Sequence, residues 1–435
     1  MAKVLFLSTN AATFRATFIG YLHEVAQRHE VVLLTEQIDE QSTKILQNRK
    51  LFPGLQEIMF FESPFHGNIF NKNYRLYHVL KHIIQSFEPD IAVAHSDIWP
   101  AEMYFMRLAK RTGSATVALQ SGFKIAEQKR LLQWSCLMNA YNRMPRFLPF
   151  GLKMVLVRFK KWVGHVLYHW ILPLSVGEAP FKGKTSFLFW HESSGLRDAD
   201  YATVFSKRDH EICVKDGVPP EKVFIIGHPL EYKSTRSFFD DVYFAKEGKQ
   251  ENQKIVTVMW PLEPGGFEEV NYKEISPERM QEKRMRAVRL IAQKLPDWKI
   301  FIKSHPTLQD VLGIKKLLGQ VSANVVVVDP KEPADAYIEK SRVVMGLPPP
   351  STTLFTASKQ NPEIIILSLN LWNEFLGDSY KEFEGIEYID TEEKFTRILD
   401  AIREGRYEKK QSSSSTFDFS DANELIEYIY AKRIR

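Results

Sequence analysis

A chain of 435 residues, 44% hydrophobic and 26% charged, is longer than a single core supports, so two globular domains are expected and a disordered polypeptide is excluded. Its two cysteines, Cys136 and Cys213, form no CxxC pair, which sets aside a disulfide framework and a cysteine zinc site and fits a reducing compartment. A formal net charge of +5 is small for this length and gives no reason to expect a nucleic-acid partner.

The opening MAKVLFLSTNAATF passes straight into an apolar run, with no secretory core and no membrane-spanning segment, so a cytoplasmic chain is expected. KVLFLS at 3–8 reads as a buried strand, 9–13 as a polar loop, and 14–28 as an amphipathic helix. EVVLLT at 30–35 and EIMFFE at 57–62 are further strands. A helical spacing of Tyr74, Leu76, Val79, Leu80, Ile83 and Ile84 then leads into DIAVAHS at 90–96, and ATVALQ follows at 115–120. Strands without an alternating polar face are buried on both sides, which predicts a parallel sheet between helical layers.

Residues 129–176 differ in character: they are rich in aromatics and in Lys and Arg, and contain no Asp or Glu. Lys129, Arg130, Arg143, Arg146, Lys153, Arg158, Lys160 and Lys161 are interleaved with Trp134, Phe147, Phe150, Phe159, Trp162, Tyr168 and Trp170. One reading is a segment resting on the anionic inner face of the plasma membrane, which the internal charges prevent from crossing it. The other is a pair of core helices whose cations reach out to solvent. DYATVFS at 200–206 and KVFIIGHP at 222–229 resume the first domain, read as residues 1–240 with 129–176 inserted.

KIVTVMWP at 254–261 opens the second domain, 254–410, followed by a Gly265–Gly266 loop, a charged helix at 278–294, and strands at 299–306, 324–329, 342–346 and 363–367. A serine-rich linker and a closing helix fill 411–435. Two such α/β domains predict a cleft lined by the carboxyl ends of their strands.

KSHP at 303–306 ends a buried strand, placing Lys303 and His305 at the sheet edge, where a fixed cation and a proton donor suit a phosphate leaving group. The alternative is a loop in which His305 caps backbone. GLPPPSTTLFTAS at 346–358 runs from strand through a proline series to a helix start bearing Ser351, Thr352 and Thr353, which can bind an anion or serve as plain caps.

The order KxHP, strand, Ser/Thr-rich helix start resembles the nucleotide-binding domain of GT-B glycosyltransferases that use CMP-sugars, such as bacterial sialyl-, polysialyl- and Kdo-transferases. It is also similar to that of CDP-polyol phosphate transferases. The resemblance implies two Rossmann-like domains with parallel sheets facing across a cleft, and donor phosphate or nucleotide at His305, Ser351, Thr352 and Thr353; Lys303, Gly265 and Gly266 are candidate donor contacts from their own positions. It further implies transfer of a sugar to a glycan or lipid-linked acceptor in bacterial surface polysaccharide synthesis.

An inverting transfer needs a base in the first domain. Asp97 after DIAVAHS is the first candidate, with His95 as rival or orienting partner; helix capping by Asp97 is the bland alternative. Asn10, Arg15, Gln120 and Ser121 are candidate acceptor contacts, Glu268 and Glu269 could touch either substrate, and His228 closes a strand. Without a DxD at a strand end, no metal is expected, and the absence of GxGxxG weighs against a dinucleotide oxidoreductase. No cofactor is expected beyond the nucleotide sugar as substrate. The alternatives are a non-hydrolysing nucleotide-sugar epimerase, a CDP-polyol phosphotransferase, and a nucleotide-sugar-binding protein without catalysis.

Overall fold

The computed structural model describes residues 1–9, 14–36, 38, 40–61, 69–95, 100–120, 152, 155, 156, 159, 163, 166–179, 198–215, 217–242, 254–261, 277–304, 316, 318, 321–330, 332, 334–347, 352–360, 363–371, 385–409 and 417–434. The chain forms two compact units: Met1–Lys124, Phe147–Val242 and Ser415–Arg435 make the first, Ile125–Arg146 and Tyr243–Ser414 the second.

In the first unit the apolar runs pair as strands β1 (Lys3–Ser8), β2 (Glu30–Thr35), β3 (Leu55–Phe60), β4 (Ile91–Ala94), β5 (Ala115–Ala118), β6 (Tyr201–Val204) and β7 (Val223–Ile225). All neighbours are parallel, in the order β3-β2-β1-β4-β5-β6-β7. Both faces of β1 are buried, as its unbroken apolar sequence requires. Leu5 and Leu7 pack with Leu76, Leu80 and Ile84 of the helix Ile69–Phe87 and with Tyr104 and Phe105 of the helix Pro100–Arg111. On the other face, Phe6 meets the edge of Phe18 at 5.2 Å, just before the fully buried helix Ile19–Val25. Each such aliphatic contributes about 1.5–3 kcal/mol on burial. The edge strand β3 leaves much of its length exposed, whereas the strands inside the sheet do not.

The helix Ala422–Ile434 is part of this first unit. Asn423 donates to the carbonyl of Glu24 at 2.9 Å, and the Asp418 carboxylate accepts the Ile225 amide at 2.7 Å. Arg433 donates to the carbonyl of Gly113 at 2.8 Å and pairs with Asp90.

The second unit repeats the plan with β8 (Ile255–Trp260), β9 (Lys299–Ser304), β10 (Val325–Val327), β11 (Val343–Gly346), β12 (Ile365–Leu369) and β13 (Glu387–Ile389). The order is β10-β9-β8-β11-β12-β13, again all parallel. Val256, Val258, Ile300 and Ile302 share one face and pack against Val288 and Ile291 of the helix Pro277–Lys294. On the opposite face Phe301 meets Tyr337 of the helix Asp335–Lys340, ring centroids 5.0 Å apart. The expected α/β class with two parallel, helix-covered sheets is therefore present. Among the described residues no helix is long and apolar enough to cross a membrane.

Candidate functional site

Open parallel sheets receive ligands beyond the carboxyl ends of their strands, where the strand order reverses. In the first unit that point lies between β1 and β4. Thr9 follows β1, His95 follows β4, and Glu102 enters from the first turn of the helix Pro100–Arg111. Glu102 is fully buried; its Oε1 accepts from Thr9 Oγ1 at 2.8 Å and lies 3.0 Å from His95 Nε2. Thr9 Oγ1 is also 3.3 Å from that nitrogen. Because the hydroxyl proton is directed to the carboxylate, both contacts to the imidazole assign its proton to Nε2 and leave Nδ1 as the acceptor nitrogen. Nδ1 is buried and has no hydrogen-bonding partner among the described residues. A proton-accepting nitrogen backed by a buried carboxylate is the arrangement of a general base with its orienting group.

Gln120 follows β5 at the same edge, where its amide oxygen accepts from the Phe205 N–H at 3.0 Å and its amide nitrogen donates to buried Asp209 at 3.2 Å. Its backbone N–H donates to Thr203 Oγ1 at 3.3 Å. The side chain thus braces β5 against β6 and the helix Lys207–Lys215. His228 does close its strand: Nδ1 accepts from the Leu230 amide at 3.2 Å while the Glu231 carboxylate accepts from the His228 amide at 2.8 Å, a reciprocal cap. Gly227 before it has φ +72°, and a Cβ there would lie 2.8 Å from the Phe417 ring.

In the second unit the reversal lies between β8 and β11. Trp260 and Ser304 end β8 and β9 as register partners, so their side chains share a face. Both carry a buried polar atom, the indole Nε1 and the hydroxyl Oγ, with no hydrogen-bonding partner among the described residues. Arg284, buried on the helix Pro277–Lys294, stands over the Trp260 ring at 5.8 Å. On the other side of β8, the strand β11 leads to the helix Thr352–Gln360. Gly346 lets that helix approach closely, since a Cβ there would meet Leu354 Cδ1 at 2.5 Å. Two donors, a cation and a helix start at three adjacent strand ends make an edge suited to an anion.

Lys303 lies on the opposite face of β9 from Ser304. Its ammonium donates to the carbonyls of Ser304 and Pro330, both at 2.9 Å, and burial holds its pKa below the usual lysine range against the opposing pull of Glu332, Asp329 and Asp335. Thr353 sits half-buried in the first turn of its helix. Asp97, His305, Ser351, Gly265, Gly266, Asn10, Ser121, Glu268 and Glu269 lie outside the described residues, as do the side chains of Arg15 and Thr352. The structure brings His95 together with Glu102 and Thr9, and Ser304 with Trp260. Glu102, Thr9, Trp260, Ser304 and Arg284 were absent from the sequence-based candidates.

No protein-family model matches the chain, and no curated protein matches it by sequence. Solved structures do match along the whole length. The UDP-GlcNAc 2-epimerase of Methanocaldococcus jannaschii has a TM-score of 0.55 at 9% identity, with 99% of each chain covered. The Neisseria meningitidis UDP-GlcNAc 2-epimerase, bound to UDP-GlcNAc, has a TM-score of 0.52 at 12% identity, covering 99% of this chain and 100% of that one. Staphylococcus aureus MnaA, solved with UDP, has a TM-score of 0.55 at 13% identity, covering 99% of this chain and 97% of that one. The fold is thus GT-B-like, of the kind found in these epimerases.

This corrects the expectation of a glycosyltransferase. The solved neighbours are sugar-nucleotide epimerases, and the resemblance to CMP-sugar and CDP-polyol transferases has no support from sequence matches. The physical reason is that strand-end cations and hydroxyls report an anionic ligand. They do not report whether its sugar is passed to an acceptor or kept.

Proposed function

We propose that this chain is a nucleotide-sugar epimerase, inverting a stereocentre of a UDP-linked N-acetylhexosamine without any acceptor. The reading rests on the end-to-end likeness to UDP-GlcNAc 2-epimerases, 99% of both chains in the Methanocaldococcus case. The two strand edges support it. Epimerisation at C2 breaks the C2–H bond as its electron pair forms a C1–C2 double bond and expels the UDP diphosphate from C1; a proton then adds to the other face of C2 as the diphosphate rejoins C1, so no atom is gained or lost overall. His95 Nδ1 is the proton acceptor, and Glu102 positions the ring and stabilises the imidazolium that forms. Trp260 Nε1–H, the Ser304 hydroxyl and the start of the helix Thr352–Gln360 donate to the diphosphate, with Arg284 supplying positive potential. These groups offset the phosphate charge, so the activity persists in EDTA.

The test is incubation with UDP-GlcNAc in D2O followed by proton NMR. The expected result is loss of the C2 proton signal together with a second UDP-sugar diastereomer. Thermal stabilisation by UDP-sugars without exchange or epimer would instead assign a binding protein, and a need for an added acceptor would overturn the proposal.

A further inference from the structure

The basic, aromatic segment left two readings, core helices or a membrane-facing surface, and they differ in what the apolar side chains touch. The described positions Leu152, Val155, Leu156, Phe159 and Val163 are helical, and all are exposed; Val155 is 61% and Phe159 59% accessible. At the helical repeat these five fall within roughly 100° of arc, one continuous apolar stripe. Trp170, further along, is 50% exposed. Core helices would have buried this stripe. The segment is nevertheless anchored: Leu172 is buried, its carbonyl accepts from Asn73 Nδ2 at 3.1 Å, and buried Glu178 accepts from Tyr77 at 2.5 Å and pairs with Arg111. The chain that follows the exposed stripe is therefore fixed to the first unit beside the helix Ile69–Phe87.

We infer that this stripe docks the protein onto an anionic lipid bilayer. Charge selects that occupant. The sequence interleaves Lys153, Arg158, Lys160 and Lys161 with the stripe, and no Asp or Glu occurs anywhere from 129 to 176. A face that buries aliphatic and aromatic groups among headgroups, in a segment whose only Asp, Glu, Lys or Arg residues are Lys and Arg, matches a surface of anionic lipid. The interrupting charges keep the segment in the interface plane, in agreement with the absence of a spanning helix among the described residues.

The full chain should be sedimented with vesicles of phosphatidylglycerol and phosphatidylcholine, and with phosphatidylcholine alone. Binding is expected only to the anionic vesicles, and it weakens as salt rises. Lys160→Glu with Lys161→Glu lowers partitioning by at least about 25-fold, from about fivefold per cation. Val155→Glu with Phe159→Glu abolishes binding while the melting temperature holds, since both positions are exposed. No binding at low salt, or undiminished binding by either variant, overturns the inference. So does a concentration-dependent dimer that the Val155→Glu, Phe159→Glu variant dissolves, which would assign the stripe to a second copy of the chain.

Discussion

Replacing Glu102 separates the chemistry of the first strand edge from its stability. Glu102→Ala removes the acceptor of both Thr9 Oγ1 and His95 Nε2, at 2.8 and 3.0 Å, in a place closed to water. Each abandoned donor costs about 1–3 kcal/mol, so the first unit loses about 3 kcal/mol. At about 2–4 °C per kcal/mol for a unit of this size, its melting midpoint drops by roughly 6–12 °C in calorimetry. Glu102→Gln keeps the volume and one carbonyl oxygen able to accept from both partners, losing only the charge. Its midpoint moves by no more than about 2 °C, while C2 exchange slows about 100-fold, the low end of general acid–base effects. Nitrogen-15 spectra of the His95 ring supply a readout that packing alone does not move: the wild-type ring carries its proton on Nε2. An Nδ1–H ring, or a Glu102→Gln variant as active as wild type, would refute the reasoning.

At the second strand edge, Trp260→Phe and Ser304→Ala each remove one donor and should weaken UDP binding about tenfold by calorimetric titration, as expected for a hydrogen bond to a charged group; unchanged affinity takes them out of the diphosphate site. His23 is stacked on Phe238 at 4.2 Å, and burial pushes its pKa down to about 4. The unfolded chain therefore binds a proton at pH 6.5 that the folded chain refuses until about pH 4, so the first unit loses up to about 3 kcal/mol as pH falls through that window. His23→Leu should flatten that part of the melting-temperature profile. Gly227→Ala forces a side chain onto a backbone at φ +72° and into Phe417, at a cost of about 1–2 kcal/mol or more, which thermal melts would show as a lowered midpoint.

The sequence revealed strands wherever burial on both faces left an apolar run with no polar alternation, as in KVLFLS, DIAVAHS, KIVTVMWP and KIFIKS. It was silent on β13, a three-residue edge strand in which Glu387 and Tyr388 are half-exposed and only Ile389 is buried, and on the helix Glu392–Arg403 that follows. His95 was legible because a histidine directly after a buried strand must emerge at the sheet edge. Glu102 was not, since an acid in the first turn of a helix reads as a partner for the helix dipole. Only the parallel pairing of β1 with β4 brings Thr9 to it. Trp260 and Ser304 were hidden for a related reason: their companionship is set by the register of two strands more than forty residues apart in sequence, Met259 facing Lys303 and Trp260 facing Ser304. Lys303 was read as a phosphate ligand from its charge, and alternation along β9 puts it on the face away from Ser304, held by two carbonyls.

The return of the helix Ala422–Ile434 to the first unit has a consequence for how the chain is made. The groups it satisfies, the Glu24 carbonyl, the Asp90 carboxylate and the Gly113 carbonyl, leave the ribosome some three hundred to four hundred residues before their partners. Throughout that interval the nascent first unit must stand with an unfinished flank while the whole second unit is synthesised and folds. Vectorial synthesis therefore delivers the second unit complete and the first unit last, although the first begins emerging at once.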